Sequence, residues 1–130
     1  MSTISKLWAV LAQIIGSGDG WITLSGTTEI FSSDVNLETN GYEGCHLIVE
    51  IDYDAAPTDE IEIALYGSLD GTNYDDTPVW SICGDKTQDP QQLSFVIKDL
   101  AHFRIGVKQT GAVDSHNVRA YQQSWNYTDV

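Results

Sequence analysis

The segment from Glu60 to Trp80, EIEIALYGSLDGTNYDDTPVW, constrains the fold more than any other. Ile61, Ile63, Leu65, Gly67 and Leu69 fall on one side of a period-two pattern, and Glu60, Glu62, Tyr66, Ser68 and Asp70 fall on the other. Alternation over this length describes a half-buried strand. The run ends in Asp70-Gly71, which predicts a type I′ hairpin turn because glycine takes positive φ without strain. A return strand is expected through Val79, Trp80 and Ile82.

The same grammar recurs along the chain. Leu47, Val49, Ile51 and Tyr53 alternate with His46, Ile48, Glu50 and Asp52. Leu93, Phe95 and Ile97 alternate with Ser94, Val96 and Lys98, and Phe103, Ile105 and Val107 with His102, Arg104 and Lys108. In the last segment Asn117, Arg119, Tyr121, Gln123, Trp125 and Tyr127 share one face, opposite His116, Val118, Ala120, Gln122 and Ser124. Shorter strand-like pieces, Trp21–Leu24 and Glu29–Phe31, sit between Gly-, Asn- and Asp-rich turns. About eight strands spaced by turns predict an all-β, antiparallel β-sandwich of jelly-roll-like topology.

The N-terminal segment breaks the pattern. Ile4, Leu7, Trp8, Leu11, Ile14 and Ile15 recur at i, i+3, i+4, i+7, i+10 and i+11, one apolar stripe at helical period. With Ser2 or Thr3 to cap its start and Gly16 its end, the stripe predicts a short helix, a strand being the competing reading. Residues 1–20 are therefore expected to form an N-terminal helix or arm and link, and residues 21–130 the sandwich domain. A terminal apolar stripe can dock on its own domain or on a neighbouring subunit, and it motivates an expected symmetric homo-oligomer. The run Leu7–Ile15 is about half the length a bilayer crossing needs. Interrupted by Gln13 behind a weakly basic flank, it reads poorly as a signal-peptide core.

At 130 residues the chain is one domain, large enough to bury roughly two-thirds of its unfolded surface without metal or disulfide support. Six basic against 19 acidic residues leave a net charge of −13, which opposes binding to nucleic acid or to an anionic membrane. Cys45 and Cys83 lack metal-ligand spacing and are expected as free thiols; they could pair only if their strands faced each other within ~6 Å between Cα atoms.

Catalytic and metal readings find little support in the spacing. The Asp70–Asp76 turn, DGTNYDD, offers Asp70, Asn73, Asp75 and Asp76 as oxygen ligands but lacks EF-hand spacing, and turn chemistry accounts for its composition. Asp52, Asp54, Asp59, Glu60 and Glu62 are expected as a solvated acidic face. His46, His102 and His116 are far apart in sequence. Gly16–Gly20 is followed by a strand-like WITL, so the logic of a phosphate loop fails. No catalytic residue, cofactor or metal ligand is assigned. The residues that stand out are aromatic and apolar: Leu7, Trp8, Leu11 and Ile15 at one end of the chain, and Arg119, Tyr121, Trp125 and Tyr127 at the other. They are candidates for a protein interface, or for a platform that stacks sugars.

Over about residues 41–128 the chain resembles small β-sandwich proteins of tailed bacteriophages that are encoded among virion structural genes. Four features carry the resemblance: the Gly41-Tyr42-Glu43-Gly44 entry to a strand, the Ser68–Tyr74 hairpin, the Lys98-Asp99 corner leading into Phe103–Val107, and the aromatic-rich final strand. The resemblance implies a capsid decoration or cement protein, or another head or tail component, with no enzymatic activity. Its partner would be the major capsid protein or another virion protein, and its location the virion, assembled in the host cytoplasm. The alternative is a carbohydrate-binding or tail-fibre-associated sandwich module.

Overall fold

A computed structural model describes residues 4–129. The described residues form eleven strands and no helix: β1 (Ile4–Trp8), β2 (Ala12–Ile15), β3 (Ile22–Thr23), β4 (Ile30–Phe31), β5 (Val35–Asn36), β6 (Gly44–Asp52), β7 (Ile61–Ser68), β8 (Trp80–Cys83), β9 (Gln91–Lys98), β10 (His102–Gln109) and β11 (Asn117–Asp129). They make two antiparallel sheets. One is ordered β1-β11-β6-β9, with β2 and β3 also on β11; the other is ordered β4-β10-β7-β8, with β5 also on β10. From β5 onward successive strands change sheets, β7 and β8 excepted, as in a jelly roll.

The inward faces are those the alternation predicts, except that Leu69, on the apolar side of the β7 pattern, lies beyond the end of the strand and is 87% exposed. Leu47, Val49 and Ile51 of β6 and Val118 and Ala120 of β11 are buried in one sheet; Ile61, Ile63 and Leu65 of β7 and Phe103, Ile105 and Val107 of β10 are buried in the other. Each large side chain fully removed from water stabilises the sandwich by about 1.5–3 kcal/mol.

Two expectations are corrected. The N-terminal stripe is not a helix: residues 4–8 and 12–15 are strands on β11, with Trp8 opposite Trp125 and Ile15 opposite Ala120. A helix this short is marginal in water, whereas the long β11 offers an edge on which the backbone groups find partners. The arm is thus part of the six-stranded sheet and not an appendage to it.

Asp70-Gly71 is not a two-residue hairpin turn. Gly71 has a φ of 78° but Asp70 is not in the left-handed region, and the chain does not pair again with β7 in a strand until Trp80 meets Leu65. The Asp70 carboxylate instead accepts the backbone N–H groups of Thr72 and Asn73, both at 2.8 Å, and folds an Asx turn into a longer loop. A lone bridge between Ser68 and Tyr74 closes it.

Candidate binding surface

β1 lies at the edge of the six-stranded sheet and pairs with the C-terminal half of β11, Ile4 opposite Asp129 through Trp8 opposite Trp125. Cross-strand pairing places Trp8 and Trp125 on the same face, with ring centroids 5.5 Å apart. The Lys6 ammonium lies 4.4 Å from the centre of the Trp125 ring and 5.4 Å from that of Trp8. On the far side, β6 contributes Gly44 opposite Trp125. A Cβ on Gly44 would stand 2.7 Å from the nearest Trp125 ring carbon, so only glycine admits the ring in this position. Enclosed in this way, Trp125 is 2% exposed although it projects from the outer face.

The remaining apolar groups at this edge stay in water. Leu7, Trp8, Leu11 and Tyr127 are 58, 43, 57 and 52% exposed, and Val10 between β1 and β2 is 87% exposed. Ile15, by contrast, is in the core. Of the eight residues singled out in the sequence, four therefore form an exposed edge, and Ile15 and Trp125 are structural.

Arg119 and Tyr121 lie on the outer face of the same sheet but are committed to neighbours. Arg119 Nε donates to Glu50 at 2.5 Å, one NH2 group donates to the Asp19 carbonyl at 2.6 Å, and the guanidinium lies 4.2 Å from the centre of the Trp21 ring. The Tyr121 hydroxyl donates to the Asp19 carboxylate at 2.9 Å. Asp19 is presented by the Gly16–Gly20 turn, where Gln13 reaches back to accept the Asp19 N–H and to donate to the Gly20 carbonyl. Of the two readings the sequence allows for Gly16–Gly20, a flexible link or a tight turn, the structure shows the turn, closed by the Gly20 N–H donating to the Ser17 carbonyl at 2.8 Å. Trp21, Glu50, Pro90, Gln92 and Arg119 line a shallow groove of about 230 Å³ there.

The other candidates do not assemble. His46, His102 and His116 sit in β6, in β10 and ahead of β11. Among the described residues no group of three or more His, Cys, Asp or Glu side chains is placed to hold a metal ion. Asp70 is spent on its own turn, and the hydrogen bonds from Asn73 and Thr72 hold its carboxyl far below the usual carboxylate range. Asp59 is not part of a solvated face: it is buried, and its carboxylate accepts the N–H groups of Val113 and Asp114. Cys45 is buried and Cys83 exposed, and both are free thiols.

No family model matches the chain, and no curated protein matches it. Solved structures do. A Bacillus endospore appendage protein, of a family of disulfide-linked pili, superposes with a TM-score of 0.50 at 13% identity over 97% of this chain and 90% of that one. The Yersinia pseudotuberculosis-derived mitogen gives 0.46 at 10% identity over 97% and 86%. At these identities the likeness to the appendage protein is one of fold.

Proposed function

We propose that this chain is a non-enzymatic structural subunit, a capsid decoration or cement protein of a tailed bacteriophage that binds the major capsid protein and stabilises the head. The observation that carries the reading is the exposed edge formed by Leu7, Trp8, Val10, Leu11 and Tyr127. So many large apolar side chains left in water at one sheet edge are the mark of a surface that is covered in an assembly. A rigid sandwich supplies the stiff body and the −13 charge a soluble remainder. The architecture is compatible with such use, since an endospore pilus protein is built on a similar sandwich.

The test is to look for the chain in purified particles and to challenge particles that lack it with heat and osmotic shock. The reading requires that it be present in mature particles and that its loss make them fragile. Particles that never contain it would end the proposal. Leu7→Glu with Leu11→Glu should abolish rebinding to depleted particles.

The groove beside Trp21 favours a second reading, a carbohydrate-binding module of a tail fibre. Trp21 and Arg119 with Glu50 and Gln92 are the residue types that bind sugars. Trp125, a natural choice for a sugar platform from the sequence, is buried and unable to stack a ring. Calorimetric titration with common polysaccharides separates the readings: binding lost on Trp21→Ala would favour the glycan module.

A further inference from the structure

The chain holds five asparagines, and four of them have their side chains engaged. Asn36 donates to the Thr39 hydroxyl at 2.8 Å and accepts the N–H groups of Glu38 and Thr39. Asn73 donates to the Asp70 carboxylate at 2.8 Å, Asn117 accepts the Thr23 hydroxyl at 2.7 Å, and Asn126 donates to the Asn40 carbonyl at 3.1 Å. Each of the four is followed by a large or branched residue, Leu37, Tyr74, Val118 or Tyr127. Asn40 differs on both counts. It is exposed, its side-chain amide has no hydrogen-bond partner among the described residues, and the next residue is Gly41.

An asparagine amide carbon is an electrophile within reach of the following backbone nitrogen, and a side chain on that following residue obstructs the approach. Gly41 has none, and the place its Cβ would take has nothing within 4 Å. One hydrogen bond restrains the nitrogen: the Gly41 N–H donates to the Glu38 carbonyl at 3.0 Å, closing an exposed turn. Such a turn opens locally at far lower cost than the sandwich unfolds. The two Asp-Gly pairs, which can form the same ring, are held back. Asp70 accepts the N–H groups of Thr72 and Asn73, Asp19 accepts the Tyr121 hydroxyl, and an ionised carboxylate is a poor electrophile.

We infer that Asn40 is a site of spontaneous covalent modification, deamidating through a succinimide shared with Gly41. Base takes the Gly41 amide proton as its nitrogen attacks Asn40 Cγ. The bond from Cγ to Nδ2 then breaks, and the leaving nitrogen takes a proton from water and departs as ammonia. Water opens the ring: cleavage at Cγ gives aspartate, and cleavage at the main-chain carbonyl carbon gives iso-aspartate, whose backbone runs through the former side chain. Ammonia leaves and water enters, and nothing is oxidised or reduced. Either product adds a negative charge to a segment that already carries Glu38 and Glu43. In iso-aspartate the Asn40 carbonyl becomes a free carboxylate beside the Asn126 amide, and Asn126 stands opposite Leu7 in the β1–β11 ladder. The change falls next to the exposed edge of β1.

The experiment holds the full folded chain in neutral and in mildly alkaline buffer and digests samples over time with an acid-active protease. Peptide masses report the exchange of NH2 for OH, and methylation by an isoaspartyl methyltransferase reports iso-aspartate. The same course is followed in urea, and with Asn40→Gln and Gly41→Ala. Asn40 should convert first among the asparagines, faster at the higher pH, with iso-aspartate in excess, and more slowly in the folded chain than in urea. Asn40→Gln should lose the modification, and Gly41→Ala should slow it to the level of the other asparagines. Gly41 has a φ of 61°, so alanine strains the turn. A strained, looser turn would react faster, so the expected slowing cannot come from lost stability. Three results overturn the inference: Asn40 intact in the folded chain under conditions that convert it in urea, another asparagine converting as fast, or Gly41→Ala reacting at the wild-type rate.

Discussion

Asp59 and Asp114 hold each other's backbone. The Asp114 carboxylate accepts the N–H groups of Thr58 and Asp59 at 2.7 and 2.6 Å, and the Asp59 carboxylate accepts those of Val113 and Asp114 at 2.8 and 2.9 Å. This reciprocal clamp ties the loop before β7 to the loop before β11. The buried His116 ring completes it: its Nδ1 accepts the Asp54 N–H at 3.0 Å, so its Nε2 carries the hydrogen and donates to the Asp59 carbonyl at 2.8 Å. Asp59→Ala leaves two N–H groups without an acceptor, and we predict a loss of about 2–3 kcal/mol in denaturant unfolding. Asp59→Asn keeps one acceptor oxygen and should lose less. Equal losses for the two variants would show that the carboxylate oxygen is not what matters.

The His102 corner should carry a pH dependence of the opposite sign to that of the clamp. His102 Nδ1 meets Asp34 at 2.8 Å and Nε2 lies 3.4 Å from Glu38, and the hydrogen bond to Asp34 raises the imidazole above its ordinary value. A raised folded value means that stabilisation is full below the unfolded value of about 6.5 and is lost as pH climbs through the folded one. For Asp114, backbone hydrogen bonds depress the carboxyl. Its contribution is full above the ordinary carboxylate value and is lost as pH falls through the folded one. We predict that the melting-temperature difference between wild type and His102→Gln shrinks from pH 6 to pH 8 (roughly the titration range of a histidine). A difference that is flat over that range would sink the assignment.

The sequence carries β6, β7, β10 and β11 legibly because each alternates and turns its predicted face to the core, and β9 does so in part, with Ile97 buried and Leu93 and Phe95 half-buried. The N-terminal segment is ambiguous for a physical reason. Ile4, Leu7, Trp8 and Leu11 satisfy the helical spacing, while what decides the outcome is the free edge of β11 more than a hundred residues away. Local spacing cannot report so remote a partner. The burial of Trp125 is hidden likewise, since it depends on Gly44 from one neighbouring strand and on Lys6 and Trp8 from another. The commitment of Arg119 to Glu50 and Trp21, and the role of Asp59, also depend on contacts between distant strands and loops. Only a small residue facing an aromatic across a ladder, as Gly44 faces Trp125, leaves a trace that a sequence could show.

Stability and binding should separate at the two tryptophans. Trp125→Ala removes a fully enclosed ring, and we predict a cost of about 3–5 kcal/mol. Gly44→Ala pushes against the same ring from below and should cost about 1–3 kcal/mol, with a changed near-ultraviolet circular dichroism signal. Trp8 is only partly covered, so Trp8→Ala should cost about 1 kcal/mol and yet weaken particle binding. If Trp8→Ala leaves particle binding intact, the exposed edge is not the docking surface.

The two thiols report on the core and on the surface of the sandwich. Cys45 is 0% exposed, and burial pushes its thiol up to about 12. Cys83 on β8 is exposed, but desolvation, and then the charges of Glu62 and Glu60, raise its thiol above the ordinary value. Only the thiolate attacks a disulfide reagent. We therefore predict that one thiol per native chain reacts at pH 8, more slowly than a free cysteine, and that the second reacts only after unfolding. Glu62→Gln removes the nearer charge and should speed the first reaction. Cys83 pairs with Glu62 and faces outward from β8. Two native thiols of similar rate would mean that the β6 side of the core opens far more readily than its complete burial implies.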